Sequence, residues 1–414
     1  MNASLCLITP GHLASSPRVV KEAEALVAAG YQVRVVAGRY FDPVEALDSE
    51  IMATAKWQVT RLDYRRGVSA FARKSMRLLA RCAFGRLRTA VMHLAVRAHH
   101  AESFHLGVVA SKNPADLYLG HCLAGLPAAA HAARRRGTRF AFDAEDFHDS
   151  ETLEACGNGV DARLPPLLQA ALLPKCAHIT ASSPLIGGAL EQKYRVRTVP
   201  VLNVFPLAQA PRAPVVPEPI SDATPARVYW FSQTIGPGRG LEAAVAVLSQ
   251  LRTPVELQLR GFVSDCYKTQ LSKLARDAGL ARSIAFLPPA PPSEMPRLAA
   301  SAHLGLSCEE STPLNRDLCL TNKIFAYLLA GLPQLLTPTS AQRALAAELG
   351  DAAVLFDVSR PAATAACVDS LLTNSAQLAA ARAAAWKLGQ TRFNWEFEGR
   401  RVVEVVRSSL TKSR

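Results

Sequence analysis

The chain lacks any run of about eighteen apolar residues, which argues against a membrane-crossing helix. It has no CxxC pair and no Cys/His spacing of the kind that holds zinc. Its nine cysteines (6, 82, 122, 156, 176, 266, 308, 319 and 367) are scattered and read as small buried hydrophobes of a reducing compartment. No basic region precedes the first apolar run, so SLCLIT reads as a buried strand rather than a secretion signal. No short internal repeat is present. Acidic residues are missing altogether from Arg65 to Ala101, a stretch with nine Arg or Lys.

What is present is enough for two domains of ordinary size: 414 residues, 49% hydrophobic and 20% charged. The formal net charge of +13 favours an anionic partner. In the acid-free stretch, Phe71, Met76, Leu78, Leu79, Phe84, Leu87, Val91, Met92, Leu94 and Val96 alternate with cations. A basic amphipathic segment suits an anionic membrane surface, and a solvated helical face gives the same pattern. Nucleic acid is the third candidate, but stacking aromatics and a groove-reading module are not evident.

The first half alternates apolar runs with amphipathic segments. SLCLIT, QVRVVAG, RFAFDAEDF, HITASS and TVPVLNV read as strands, with GVVAS and DLYLGH between them. VVKEAEALVAAG, LPAAAHAARRRG and LIGGALEQKY read as helices. From Pro206 to Arg227 six prolines and no periodicity mark a semi-rigid linker. The alternation then restarts through RVYWFSQ, VELQLRG, SIAFLPP, HLGLSCE and QLLTP, and the tail is mostly helical. The expected architecture is α/β, two tandem Rossmann-like, doubly wound parallel-sheet domains facing a central cleft. The expected boundaries are 1–205, a linker at 206–226, a second domain at 227–375, and helices at 376–414 packing back toward the first domain.

Ligands of such sheets bind at the carboxyl ends of the strands. After RVYWFSQ, the turn Gly236-Pro237-Gly238-Arg239-Gly240 opens a helix, and glycines bring backbone N–H groups close to a phosphate. LTNKIFAYLLAGLP opens another helix, with Asn322 as its expected N-cap and Lys323 at the positive end of the dipole. A cation there makes sense if an anion joins it; two such helix starts grip one diphosphate. Tight turns and surface lysines give the same letters. The preceding polar loop holds Glu309 and Glu310, acceptors for sugar or ribose hydroxyls. In the first half, His12 and Arg18 follow the first strand and His121 follows DLYLG. FDAEDFHDSE adds Asp143, Glu145, Asp146 and His148, an acidic cluster whose spacing fits no standard metal set.

In order along nearly the whole chain, SSPRVVKEAEALVAAGYQVRVVAG, HCLAGLPAAA, FDAEDFH, PGRGLE, LQLRG and NKIFAYLLAGLP resemble GT-B fold glycosyltransferases of the retaining family 4 type. The resemblance implies transfer of a sugar from a nucleotide-diphosphate sugar to a glycan or lipid-linked acceptor, without a metal or other cofactor. It implies that Gly238, Arg239, Gly240, Glu309, Glu310, Asn322 and Lys323 bind the donor. His121, Asp143 and Glu145 would be catalytic, and His12, Arg18, Asp146 and His148 would bind acceptor or sugar. It places the protein in the cytoplasm, on the inner face of the plasma membrane through Arg73, Lys74, Arg77, Arg81, Arg86 and Arg88, in bacterial surface polysaccharide synthesis. Two departures stand out: Ala326 replaces the family's usual glutamate, and the Gly-Arg pair after the second domain's first strand is replaced around Ser232-Gln233-Thr234. A sugar-nucleotide epimerase or a non-catalytic scaffold on the same fold are the alternatives.

Overall fold

The structure is a computed structural model that describes residues 3–65, 68–86, 91–151, 159–280 and 284–411. Its contacts divide the chain into two units, one running to Leu202 and regaining Pro313–Asn315 and Gly399 onward, the other comprising Asn203–Thr312 and Arg316–Glu398.

The first unit is built on a seven-stranded parallel sheet. Its strands are β1 (Ser4–Thr9), β2 (Gln32–Arg39), β3 (Gln58–Asp63), β4 (Leu117–His121), β5 (Arg139–Ala144), β6 (Ile179–Ala181) and β7 (Val199–Pro200). They lie in the order β3-β2-β1-β4-β5-β6-β7. The near-continuous apolar letters of β1 and β4 follow from this layout, because a parallel strand covered by helices on both faces has no wet side. β3 carries no such run: its residues are half-buried or exposed because it is the edge strand. The GVVAS run is not a strand. It ends the helix Ser103–Ala110, since an apolar run this short fits either period.

The second unit holds a six-stranded parallel sheet. It comprises β8 (Ala226–Ile235), β9 (Val255–Val263), β10 (Ile284–Leu287), β11 (Leu304–Ser307), β12 (Gln334–Leu336) and β13 (Ala353–Leu355). The order is β10-β9-β8-β11-β12-β13. Gly305 of β11 lets the helix Asn322–Ala330 lie close, for a Cβ there would fall 2.5 Å from the Tyr327 ring. The Tyr327 hydroxyl donates to the carbonyls of Leu306 and Tyr229 at 3.0 and 3.1 Å, fixing that helix across β11 and β8. The N-cap of this helix is Thr321, extended at φ −75° and ψ 150°, and Asn322 is its first residue, so the helix starts one position earlier than the sequence suggests. The helix Ser375–Thr391 packs on the other side, where Gly389 admits the Leu328 carbonyl. The proline-rich segment is held to this helix by Arg382, which donates to the Val215 carbonyl at 2.7 Å. The final helix, Trp395–Thr411, returns to the first unit from Gly399, where the Ser409 hydroxyl lies 2.7 Å from His178 Nδ1.

Candidate functional site

In both sheets the strand order reverses between two neighbours: β1 and β4 in the first, β8 and β11 in the second. The crevice beyond the carboxyl ends of such a pair is where doubly wound sheets bind ligands. The candidate residues of each unit collect at these points.

Beyond β1 and β4 lies a buried charged cluster. Arg18, on the helix Pro17–Ala28, forks onto Asp143 of β5 with Nε 2.5 Å from Oδ2 and Nη2 2.7 Å from Oδ1. Its remaining Nη1 donates to the Val201 carbonyl at 2.6 Å. Arg18, His121 and Asp143 have no exposed surface. Thr180 also donates to Asp143. Arg18 is thus buried with its guanidinium engaged inside the cluster, which it organises.

His121 stands among three carboxylates, 3.4 Å from Glu22, 3.4 Å from Asp143 and 3.7 Å from Glu145. Burial alone would depress the imidazole, but Glu22, Asp143 and Glu145 outweigh it and push it up to about 10. His121 is thus an imidazolium over the whole neutral range. Burial raises Glu22 to about 7, reinforced by Asp143, and lowers Lys21 to about 7, reinforced by Arg18. Asp143 is held well below the usual carboxylate range, the Arg18 guanidinium and His121 overcoming its burial. Glu145, whose side chain is 24% exposed, is the member of the cluster that meets solvent.

The turn after β4 is tight. A Cβ on Gly120 would sit 2.4 Å from the Gly125 carbonyl oxygen. Cys122, the next residue but one, is driven to φ +55°, a conformation uncommon for a side-chain-bearing residue. Its Sγ lies 3.6 Å from Glu145 Oε1.

The other first-unit candidates are engaged elsewhere. His12 Nδ1 is 2.7 Å from Asp48, and its Nε2 accepts from the backbone N–H of Tyr40 and Phe41 at 2.9 Å each. The proton is therefore on Nδ1, and both ring nitrogens are used in tying the loop after β1 to the end of β2. Asp146 is half-buried, and burial raises its carboxyl. His148 pairs with Glu151 at 2.7 Å. Among the described residues, two groups bring carboxylates and a histidine close enough to hold an ion: His12, Glu45 and Asp48, and Glu22, His121 and Asp143. Both carry protein bonds that a metal would have to displace.

In the second unit the two cation-bearing segments both lie at the end of β11. Gly238 and Gly240 take φ +68° and +71°, and Gly240 caps the helix Leu241–Leu248. Arg316 donates to the Gly238 carbonyl. The Cys308 thiol donates to the Arg239 carbonyl at 3.2 Å, holding the glycine turn against the end of β11. The half-buried Arg239 side chain has no hydrogen-bond partner among the described residues. Next to Cys308, Glu309 takes Lys323 Nζ at 2.8 Å, both side chains 6% exposed, with Nζ 5.5 Å from the Trp230 ring centroid. Asn322 is half-buried beside it and Glu310 is exposed. Ala326 is fully buried in the same helix. Replacing Gly240 with alanine is expected to cost about 1 to 3 kcal/mol. The new Cβ would meet Cys308 Cβ at 3.3 Å from a left-handed backbone, and a denaturation midpoint reads the loss.

The basic segment sorts unevenly. Arg73 bonds Glu102 at 2.5 Å, Arg81 forks onto Asp161 at 2.7 Å, and Arg77 donates to the Ala98 carbonyl at 3.3 Å. Lys74 and Arg86 are exposed, and Arg88 lies outside the described residues. No helix among the described residues is long and apolar enough to cross a membrane.

The chain matches solved structures over its full length. It is similar to the Anabaena protein HepE, solved with UDP and glucose, with TM-score 0.66, 14% identity, and 98% of this chain and 100% of that one covered. It is similar to a glycosyltransferase from Rickettsia africae, with TM-score 0.70, 12% identity and both chains fully covered. The fold is that of the GT-B glycosyltransferases. A Listeria monocytogenes protein named for UDP-N-acetylglucosamine 2-epimerase also shares it, with TM-score 0.58, 12% identity, and 99% of this chain and 97% of that one covered. No protein-family model and no curated protein sequence matches the chain.

Proposed function

We propose that this protein is a retaining glycosyltransferase of the family 4 type that moves a sugar from a nucleotide-diphosphate sugar to a glycan or lipid-linked acceptor. The observation that carries the reading is that Arg239 and Lys323, each at the start of a helix, are both held to the end of β11, the Arg239 carbonyl by Cys308 and the Lys323 ammonium by Glu309. Helix N-termini and cations favour a diphosphate and neutralise the charge that grows on it as the sugar–phosphate bond breaks. Two GT-B neighbours support it, one of them solved with UDP and glucose. In the first unit, Glu145 reaches solvent while His121 and Asp143 stand behind it, so Glu145 meets the sugar or acceptor and the other two hold it. This transfer needs no metal. The surface-polysaccharide setting and an anionic membrane partner belong to the same reading.

Lys323 makes a poor test on its own. Removing it leaves Glu309 buried and unpaired, which costs stability whether or not a ligand binds. Arg239→Ala is the clean variant. It is expected to melt like wild type and to bind the donor about ten- to a hundredfold more weakly. Thermal shift against a panel of nucleotide sugars reads this. A donor that shifts both proteins equally would remove Arg239 from the site.

The epimerase reading is favoured by the Listeria neighbour. It predicts that the sugar nucleotide is converted with no acceptor present, which transfer does not.

A further inference from the structure

The helix Val68–Arg86 buries only one side. Ala80 and Phe84 are buried, the latter under the Arg163 guanidinium at 5.0 Å. Phe71, Leu78 and Leu79 are 74%, 64% and 68% exposed. Phe71, Leu78 and Cys82 are spaced i, i+7, i+11, and Leu79 lies beside them, so they share the face turned away from Ala80 and Phe84. Large apolar side chains gathered on one face in water mark an interaction surface.

The charges around this face decide its partner. Arg73, Arg77 and Arg81 are spent on Glu102, the Ala98 carbonyl and Asp161. Lys74 and Arg86 have no hydrogen-bond or ion-pair partner among the described residues, and on the helix they flank the apolar stripe on either side. No acidic residue lies within the helix. A second copy of this face would bring like charges together, whereas an anionic bilayer offers both an apolar interior and a negative rim.

We propose that this face docks the protein on an anionic phospholipid bilayer, with Phe71, Leu78 and Leu79 entering the headgroup boundary and Lys74 and Arg86 meeting lipid phosphates. The proposal rests on and deepens the membrane-partner part of the function above, narrowing its cations to Lys74 and Arg86 and adding Phe71, Leu78 and Leu79 as the side chains that enter the bilayer. Apolar insertion carries the binding, and the arginines at 73, 77 and 81 build the helix's inner side. Snorkelling stems of Lys74 and Arg86 let both charges stay at the interface while the apolar side chains go deeper.

The test is co-flotation of the full chain with vesicles of phosphatidylglycerol and phosphatidylethanolamine, against vesicles of phosphatidylcholine alone. Wild type is expected to float with the anionic vesicles and to be released as salt rises. The triple variant Phe71→Ser, Leu78→Ser, Leu79→Ser is expected to keep the wild-type melting temperature and lose at least about tenfold in partitioning. Lys74→Glu with Arg86→Glu is expected to bind more weakly and to lose most of the salt dependence. The proposal is overturned if wild type stays with the soluble fraction, or if the triple variant floats as well as wild type. It is also overturned if wild type is a dimer that the triple variant dissociates, which would make the face a contact between copies. Flotation needs no donor or acceptor, so it is decided independently of the glycosyl-transfer reading.

Discussion

Arg18→Ala is expected to destabilise the protein by about 3 to 5 kcal/mol, the range for removing one partner of a buried ion pair. Arg18 and Asp143 have no exposed surface, and Arg18 supplies two of the bonds that keep Asp143 ionised. Without the guanidinium, Asp143 and Glu22 stay buried near each other with His121 as their remaining cation. The Val201 carbonyl loses its donor as well. Urea denaturation at neutral pH measures the effect. Arg18→Lys is expected to recover only part of it, because an ammonium cannot fork onto both carboxylate oxygens and still reach Val201. A loss under about 1 kcal/mol in Arg18→Ala would mean that the pair is solvated and worth no more than a surface bridge. The same variant bears on activity. Loss of Arg18 frees Asp143 to turn, and His121 and Glu145 lose the wall they lean on.

The alternation of strands with helices made the two sheets legible, because parallel strands buried on both faces must be apolar throughout. β3 was not legible, since an edge strand such as QVTRLD buries too little to need an apolar run. The strand-end positions of Arg239, Lys323, His121 and Glu145 were legible for the same reason as the sheets. Their partners were not. Nothing near Arg18 in the sequence points to Asp143 or Val201, and nothing near His12 points to Asp48. Such pairs are made by the fold, not by spacing. The basic stretch shows the limit most clearly: nine like charges look alike in sequence, yet Arg73 and Arg81 face acids and Lys74 does not.

Glu22 belongs to the buried charged cluster, although the sequence motifs did not single it out. A signal was present. Val19, Glu22, Ala23 and Leu26 fall at helical spacing on one face, and all four are buried. A carboxylate on the apolar face of a helix is costly unless it has a buried partner. Here the partners are Arg18 on its own helix and His121 from β4, with Asp143 of β5 and Glu145 just beyond it opposing it.

Glu22→Gln is therefore expected to change how stability depends on pH. The folded Glu22 carboxyl titrates near 7 against 4.5 for the free group, because burial disfavours its ionised form. A folded value above the unfolded one means stability that is fully present below about pH 4.5 and lost as pH rises through 7. A shift of that size corresponds to about 3 kcal/mol. His121 acts in the same direction higher up: its stabilisation is complete below about 6.5 and is lost as pH approaches 10. Lys21 opposes it, since a lysine lowered to about 7 adds stability between 7 and 10.5 as pH rises. His99, His100 and His178, lowered by burial to about 3, 4 and 4, add stability as pH rises through the same window, so the difference between the two proteins isolates Glu22: relative to wild type, Glu22→Gln should gain stability as pH rises from 4.5 to 7. Glu22 is also the largest influence holding His121 charged, so in Glu22→Gln the imidazole should titrate lower. Nitrogen chemical shifts of His121 followed with pH would show it. An unchanged His121 titration beside that difference between the stability profiles would confine Glu22 to packing. A lowered one would make Glu22 the residue that keeps an imidazolium behind Glu145.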